Sequence, residues 1–174
     1  MIVIIGDSAS GKSAIERNLV KNHGFQNTIS YTTREPRDNE IDGIDYHFIT
    51  KTAFLFLKQD GFFAETTLYN GNYYGTAKQD CTNDKIAVVN PQGLRALRNC
   101  KDIFVTSFYI RVPRRDRLIK ALTRGDDIDR SYQRSLSDIG EFTGVADEVD
   151  FIIDNPGYKH TIEELTEQIL SKLK

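Results

Sequence analysis

The chain has 174 residues and a formal net charge of −2, with 39% hydrophobic and 28% charged residues. These values fit one globular domain with its own core, and they exclude a disordered chain and a strongly basic surface for nucleic acids. No apolar run approaches the length of a membrane span, and the first residues predict a strand rather than a signal peptide. Cys81 and Cys100 lack the spacing of metal or redox sites, so we expect ordinary thiols in the reducing cytoplasm. We expect neither a nucleic acid nor a membrane as a partner.

The chain begins with a buried strand over residues 2–5, which are all Ile or Val. Residues 6–13 then match G-x-x-x-x-G-K-[ST], the phosphate-binding P-loop. Glycines that adopt positive φ let such a loop curl until its N–H groups face a polyphosphate. We expect Lys12 to reach the β- and γ-phosphates and the Ser13 hydroxyl to ligate Mg²⁺. The candidate phosphate-binding residues are Gly6, Ser8, Ala9, Ser10, Gly11, Lys12 and Ser13.

The next segment interrupts the alternation of strands and helices. Apolar spacing over residues 14–21 predicts a helix that stops at Gly24, and residues 28–31 predict a second strand. Residues 32–48 are polar and irregular, and a short helix follows near residues 54–57. Two strands, over 62–66 and 72–76, flank a predicted turn at Asn70 and Gly71. We therefore expect an insertion with its own small antiparallel sheet.

The alternation resumes in the second half of the chain. A strand over 86–89 precedes a helix opened by Pro91, and a second strand covers residues 103–110. Residues 111–134 contain seven arginines interleaved with aspartates. A strand over 149–153 and a closing helix with a capping box at Thr161 complete the chain. This pattern predicts an α/β fold, in which a parallel sheet has helices on both faces and ligands bind beyond the carboxyl ends of its strands.

Two polar segments resemble the segments that bind the nucleoside monophosphate in guanylate kinases. The first covers residues 30–37 and continues over 40–48, and the second comprises residues 63–65 and 71–76. Residues 150–155 resemble the last strand of that family and its Asn turn. The resemblance implies phosphoryl transfer from ATP to GMP, with ADP and GDP as products.

The resemblance also implies a P-loop nucleoside monophosphate kinase fold. Its five-stranded parallel core would have the strand order 2-3-1-4-5. The implied segments are a core with the P-loop over 1–31, a GMP-binding insertion over 32–80, core over 81–113, a helical lid over 114–135 and core over 136–174.

The implied site residues divide into three groups. The GMP phosphate would be held by Ser30, Arg34, Arg37, Tyr46 and Tyr74. The guanine would be recognised by Glu65 with help from Thr76, and the adenine of ATP would lie near Asn155. We expect the catalytic charges to come from Lys12 and from Arg117, Arg124 and Arg134 of the lid. A solvated helix face is the alternative interpretation of this arginine-rich segment.

The chemistry of these side chains fits those roles. Arginine forks and tyrosine hydroxyls suit a phosphate dianion. Guanine presents two adjacent donors, N1–H and the 2-amino group, which a carboxylate such as Glu65 accepts together. Adenine presents an acceptor at N1 and would be repelled, so Glu65 is the predicted guanine selector.

The sequence departs from the family pattern at four positions. Val88 and Asn90 stand where acids are expected, so Mg²⁺ would depend on Ser13, phosphate oxygens and water. We expect Asn90 to accept a hydrogen bond from guanine through its amide oxygen. Ala121 and Ser135 stand where lid arginines are expected.

These departures leave the substrate open between GMP and dGMP. Another nucleoside monophosphate, or a non-catalytic guanylate-kinase-like binding module, remains as an alternative, although the intact P-loop argues against the module. The sequence does not distinguish a monomer from a homodimer.

Overall fold

The computed structural model describes residues 1–37, 40–69 and 71–173. The strands are β1 (Ile2–Ile5), β2 (Gln26–Asn27), β3 (Tyr31–Thr32), β4 (His47–Phe48), β5 (Phe63–Tyr69), β6 (Asn72–Ala77), β7 (Lys85–Val88), β8 (Thr106–Arg111) and β9 (Phe151–Asp154). The α-helices are α1 (Lys12–His23), α2 (Lys51–Gln59), α3 (Pro91–Arg98), α4 (Arg114–Thr123), α5 (Ile128–Glu141) and α6 (Ile162–Lys172).

The core is a five-stranded sheet in the order β2-β7-β1-β8-β9, and all its neighbouring strands are parallel. Alternate residues of β1 point to opposite faces. Ile2 and Ile4 pack in one apolar cluster with residues of α1 and α6, whereas Val3 and Ile5 pack in a second cluster with residues of α3. The predicted α/β fold, with a parallel sheet and helices on both faces, is therefore confirmed.

The second sheet has four strands in the order β4-β3-β6-β5 and mixes one parallel pair with two antiparallel pairs. Strands β5 and β6 form a hairpin in which Tyr69 pairs with Asn72. Asn70 of the predicted turn lies outside the described residues, while Gly71 has a φ of 78°. Helix α2, capped by Thr50, covers this sheet, and its Phe54 ring stacks on Phe63.

The predicted strand over 28–31 is wrong. Strand β2 lies earlier, and its pairing with β7 ends where the Thr28 N–H donates to the Ile86 carbonyl at 2.8 Å. The chain then leaves the core sheet, because Tyr31 belongs to β3 and its ring packs against His47 and Phe62. Tyr31 therefore belongs to the small sheet rather than to the core sheet.

Several predicted boundaries also move. Strand β8 begins at Thr106 rather than at residue 103, and Phe104 is 82% exposed. The arginine-rich segment forms α4 and α5, and α5 continues to Glu141. The predicted glycine stop at Gly24 and the capping box at Thr161 are confirmed. Among the described residues, no helix combines the length and apolarity needed to cross a membrane.

Candidate active site

The phosphate loop joins β1 to α1 at the carboxyl edge of the core sheet. Gly11 precedes α1 with a φ of 98°, and Ala9 also has a positive φ, of 64°. Gly6 does not have a positive φ, so our expectation for this residue is wrong. A Cβ atom at Gly6 would lie 2.7 Å from Ser10 Oγ and 2.8 Å from the Ile110 carbonyl oxygen. Glycine is thus required there by lack of space rather than by its backbone dihedrals.

The Lys12 side chain folds back over the start of the loop. Its Nζ donates to the carbonyl oxygens of Gly6 at 2.6 Å and Asp7 at 2.9 Å. Burial lowers the Lys12 pKa to about 8, although the nearby carboxylates of Asp138 and Asp7 oppose this shift. The ammonium group is therefore held where a polyphosphate would reach it, at the cost of an easier deprotonation.

Arg117, on α4, joins two carboxylates beside the loop. Its Nη2 lies 2.8 Å from Asp7 Oδ1, and its Nη1 lies 3.1 Å from Asp138 Oδ2. Asp7 also accepts a hydrogen bond from the Tyr109 hydroxyl at 2.9 Å. Asp7, Arg117 and Asp138 are each only 6% exposed. This buried ion triad ties the phosphate loop to both α4 and α5.

The other two lid arginines lie close to the same loop. Arg124 and Arg134 line a small pocket of about 30 Å³ together with Arg117, Ser8 and Ala9. Arg124 is exposed and forms an ion pair with Asp126. The structure therefore brings all three predicted arginines to the phosphate loop, each from α4, α5 or the turn between them.

A larger cavity of about 260 Å³ opens from the loop toward the small sheet. The predicted site residues that line it are Gly6, Ser8, Lys12, Ser30, Tyr46, Glu65, Tyr74 and Asn90. The lining residues that sequence analysis did not assign to a site are Thr67, Val88, Val89, Asp138, Glu141 and Phe142. One cavity thus holds both the phosphate-loop lysine and the predicted guanine selector.

Glu65 lies at the end of the cavity formed by the small sheet and is 6% exposed. Its Oε1 accepts a hydrogen bond from the Thr76 hydroxyl at 2.8 Å. Burial raises the Glu65 pKa, and the bonds from Thr76 oppose the rise. Because Thr76 is fully buried, its hydroxyl is fixed in place and orients the Glu65 carboxylate.

Asn90 lines the cavity, and its side chain is already hydrogen-bonded within the protein. Its amide oxygen caps α3 by accepting from the Gly93 N–H at 2.9 Å, and its amide nitrogen donates to Glu141 at 2.6 Å. The oxygen predicted to meet guanine already has a partner. The acidic group at this part of the cavity comes instead from Glu141 on α5.

The two arginines of the first polar segment contact the same carboxylate but differ in exposure. The Arg34 guanidinium pairs with Glu40 at 2.8 Å, and its central carbon lies 5.5 Å from the centroid of the Tyr46 ring. Tyr46 in turn meets Tyr74 with ring centroids 6.0 Å apart. Arg37 is exposed, and its backbone N–H donates to Glu40. Arg34 is thus held beside Tyr46, whereas the Arg37 side chain is exposed.

Comparison with known proteins decides the family. A family model described as guanylate kinase matches residues 1–172. The chain belongs to the guanylate kinase family. A curated guanylate kinase of Nitratidesulfovibrio vulgaris is 35% identical over 175 residues, which cover 95% of this chain and 83% of that protein. A guanylate kinase of Rickettsia bellii is 31% identical over 183 residues, which cover 100% of this chain and 95% of that protein.

The resemblance inferred from the polar segments is confirmed by this family match. A solved structure supports the same fold. The crystal structure of guanylate kinase from Anaplasma phagocytophilum matches 99% of this chain and 84% of that chain, with a TM-score of 0.71 at 21% identity.

In this chain the Asn155 side chain is hydrogen-bonded to the backbone of the loop that follows β9. The Asn155 side chain is buried, accepts from the His160 N–H at 2.9 Å and donates to the His160 carbonyl at 3.3 Å. The following turn brings the Tyr158 hydroxyl to the Ala9 carbonyl at 2.7 Å. The predicted adenine side is therefore connected to the phosphate loop through Tyr158.

Sequence analysis missed Asp7, Asp138 and Glu141 as site residues. Asp7 lies at a variable position of the P-loop motif, and the two α5 acids are three residues apart, a spacing that places them on one helix face. That spacing was the only sign of the two α5 acids in the sequence. The ion pairs of Asp7 and Asp138 with Arg117 could not be predicted, because they depend on the packing of α4 against the loop.

Proposed function

We propose that this chain transfers the γ-phosphoryl group of ATP to GMP, giving ADP and GDP. The observation that carries the proposal is the shared cavity, in which Lys12 of the phosphate loop faces Tyr46, Tyr74 and Glu65. The names of the curated relatives support the same reaction. Two nucleotides entering from opposite ends would meet with their phosphates between the loop and the tyrosines.

The donor would be held by the phosphate loop. The proposed ATP-binding residues are Gly6, Ser8, Ala9, Ser10, Gly11, Lys12 and Ser13, with Asn155 near the base. The loop suits this role because Gly11 starts α1 directly, so the helix N-terminus faces the phosphates. The Ser10 hydroxyl is buried and has no hydrogen-bond partner among the described residues, as expected of a loop completed by a ligand.

The acceptor would be held by the small sheet and the segment before it. The proposed contacts to its phosphate are Ser30, Arg34, Arg37, Tyr46 and Tyr74, and Glu65 with Thr76 would select guanine. Asn90 borders the same cavity. In this scheme residues 32–80 are the GMP-binding insertion, and residues 114–135 are the lid.

Catalysis in this scheme is electrostatic, since the GMP phosphate is itself the nucleophile and no general base is needed. Lys12 places one positive charge beside the phosphate loop. Arg117, Arg124 and Arg134 would supply charge from α4 and α5 to the phosphoryl group in transfer. Closure over the nucleotides would exclude water, which strengthens each of these interactions.

We infer that Mg²⁺ accompanies ATP and is held by the Ser13 hydroxyl. Ser13 is exposed at the first turn of α1. Among the described residues no group of three His, Cys, Asp or Glu side chains is placed to hold a metal ion. The remaining ligands would be phosphate oxygens and water, which is a coordination that Mg²⁺ accepts. The ion would neutralise phosphate charge.

We place the reaction in the cytoplasm, where ATP and monophosphates meet.

The proposal is tested by ADP release in a coupled assay with GMP, dGMP, AMP, IMP and dTMP as acceptors. We expect turnover with GMP, and the ratio of GMP to dGMP turnover will show whether the sugar is distinguished. Absence of GMP turnover, or faster turnover with AMP, would refute the proposal. Binding of ATP without any turnover would favour the non-catalytic module.

A further inference from the structure

The Asp138 carboxylate, on α5, occupies a position beside the phosphate loop that resembles that of a bound anion. Its Oδ2 accepts from the Ser8 backbone N–H at 2.8 Å, and its Oδ1 accepts from the Ser8 hydroxyl at 3.3 Å. Arg117 Nη1 lies 3.1 Å from the same Oδ2. A backbone N–H, a hydroxyl and a guanidinium group are the donors that proteins use for phosphate.

The charges around this carboxylate cancel one another. Lys12 and Arg117 carry two positive charges, and Asp7 and Asp138 carry two negative charges. A phosphate loop ordinarily attracts its ligand through an excess of positive charge. Here that excess is absent among these four side chains, so a polyphosphate must displace an internal anion before it gains full contact.

The position of Asp138 identifies which phosphate would displace it. Asp138 lines the cavity together with Lys12 and Ser8 at the loop end, and with Tyr46 and Tyr74 further along. The phosphoryl group that passes from donor to acceptor must lie between the loop and these tyrosines. It would therefore meet the Asp138 carboxylate, whereas phosphates deeper in the loop would not.

We propose that Asp138 holds the place of the donor γ-phosphate in the nucleotide-free protein and that ATP displaces it from Ser8 and Arg117. This inference rests on the proposed function, because it takes ATP as the donor. Arg117 would then exchange one carboxylate for phosphate. Its contacts with Asp7 at 2.8 Å and with the Ser8 carbonyl at 3.3 Å keep the guanidinium directed at the loop.

The exchange also gives α5 a way to respond to the donor. Asp138 connects α5 to the loop, and Arg114 Nε on α4 donates to Ser135 Oγ on α5 at 2.8 Å. Displacing Asp138 frees α5 from the loop while α4 and α5 stay joined. Asp138 is thus a positioning residue that acts through Ser8 and Arg117.

The test is calorimetric titration with a non-hydrolysable ATP analogue and with ADP, in the presence of Mg²⁺ and without GMP. For Asp138→Asn we expect the analogue to bind about tenfold more tightly, because a neutral amide competes less well with phosphate. ADP affinity should change less than twofold, since ADP lacks the competing phosphate. Asp129→Asn, an exposed aspartate of the same helix, should change neither affinity.

Weaker or unchanged binding of the analogue by Asp138→Asn would overturn the inference, as would an equal gain for ADP. Asp138→Glu, which keeps the charge, should show no such gain in affinity. If Asp138→Asn fails to fold in a thermal melt, Asp138→Ser removes the competing charge with a smaller side chain and leaves the Ser8 and Arg117 donors intact. It should shift the analogue-to-ADP affinity ratio in the same direction, and a shift in the opposite direction would overturn the inference. Failure of the unmodified protein to bind the analogue would instead count against the proposed function.

Discussion

At the phosphate-loop end of the cavity cationic and anionic side chains lie together, whereas the proposed base end holds a buried carboxylate that has no salt bridge among the described residues. Lys12 bonds to loop carbonyls, and Arg117 bonds to Asp7 and Asp138. Glu65 has the Thr76 hydroxyl, but no salt bridge among the described residues involves it. The charges of Lys12, Arg117, Asp7 and Asp138 therefore cancel, and under the proposed function the Glu65 end takes hydrogen-bond donors from its ligand.

Because of this difference, we expect the two ends of the cavity to discriminate between ligands in different ways. A ligand at the loop end gains affinity by exchanging one anion for another, so its binding depends on charge. A ligand at the base end gains affinity by completing the hydrogen bonds of a desolvated acid, so its binding depends on the donor pattern of the base. Substitutions at each end should separate these two effects.

The largest expected effect is at Lys12. Lys12→Ala should lower kcat by roughly a thousandfold, because a preorganised positive charge beside the phosphates is lost. The measurement is the coupled ADP-release assay with saturating GMP. Lys21→Ala, an exposed lysine of the same helix, should leave kcat and the melting temperature unchanged. Turnover by Lys12→Ala at a wild-type rate would show that the loop end does not carry the catalytic charge.

A smaller effect is expected at Glu65. Glu65→Gln should reduce the preference for GMP over AMP by roughly a hundredfold in kcat/KM, because the amide accepts only one of the two guanine donors. Both acceptors would be compared in the same assay, with the exposed Glu163→Gln as the matched control. An unchanged ratio would show that Glu65 is not the selector and that both ends respond mainly to charge.

The pH dependence of ATP binding gives a third comparison. The Lys12 pKa is lowered to about 8, and bound phosphate would raise it again, so binding should weaken by about tenfold per pH unit above pH 8. Calorimetry from pH 7 to 9 measures this slope, and Lys12→Met should remove it. A slope that persists in Lys12→Met would assign the titration to another group.

The same shift affects stability in the opposite direction. Between pH 8 and the ordinary lysine pKa of 10.5, the unfolded chain binds a proton that the folded chain lacks. The contribution of Lys12 to the free energy of unfolding therefore rises with pH in this window.

The smallest expected effect is at Asn90, between the two ends. Asn90→Ala should lower the free energy of unfolding by about 1 kcal/mol, because α3 loses its N-cap. Asn90→Ser keeps a capping oxygen and should lose less. Urea unfolding measures both variants, and equal losses would show that the contact with Glu141, rather than the cap, carries the stability.

The family could be predicted because the residues that carry the resemblance are close together in the sequence. The phosphate loop, the segment with Arg34 and Tyr46, and the hairpin with Glu65 and Tyr74 each form within a few dozen residues. Local spacing also predicted the glycine stop of α1 and the cap of α6, since both depend on neighbouring residues. The prediction of a strand over 28–31 failed because the chain leaves the core sheet after Thr28 and Tyr31 packs in the small sheet, and periodicity does not show which sheet a segment joins.

By itself, the sequence determined that a phosphate loop follows a buried strand and that a second set of residues suits a guanine monophosphate. Only the tertiary structure decided how the charges between them are paired. Ser8 and Asp138 are separated by 130 positions, and Arg117 comes from a third segment. A motif specifies residue types at fixed spacing, but the pairing of buried charges depends on which helices pack against the loop. That packing gives the phosphate end an internal anion and leaves Glu65 for the ligand.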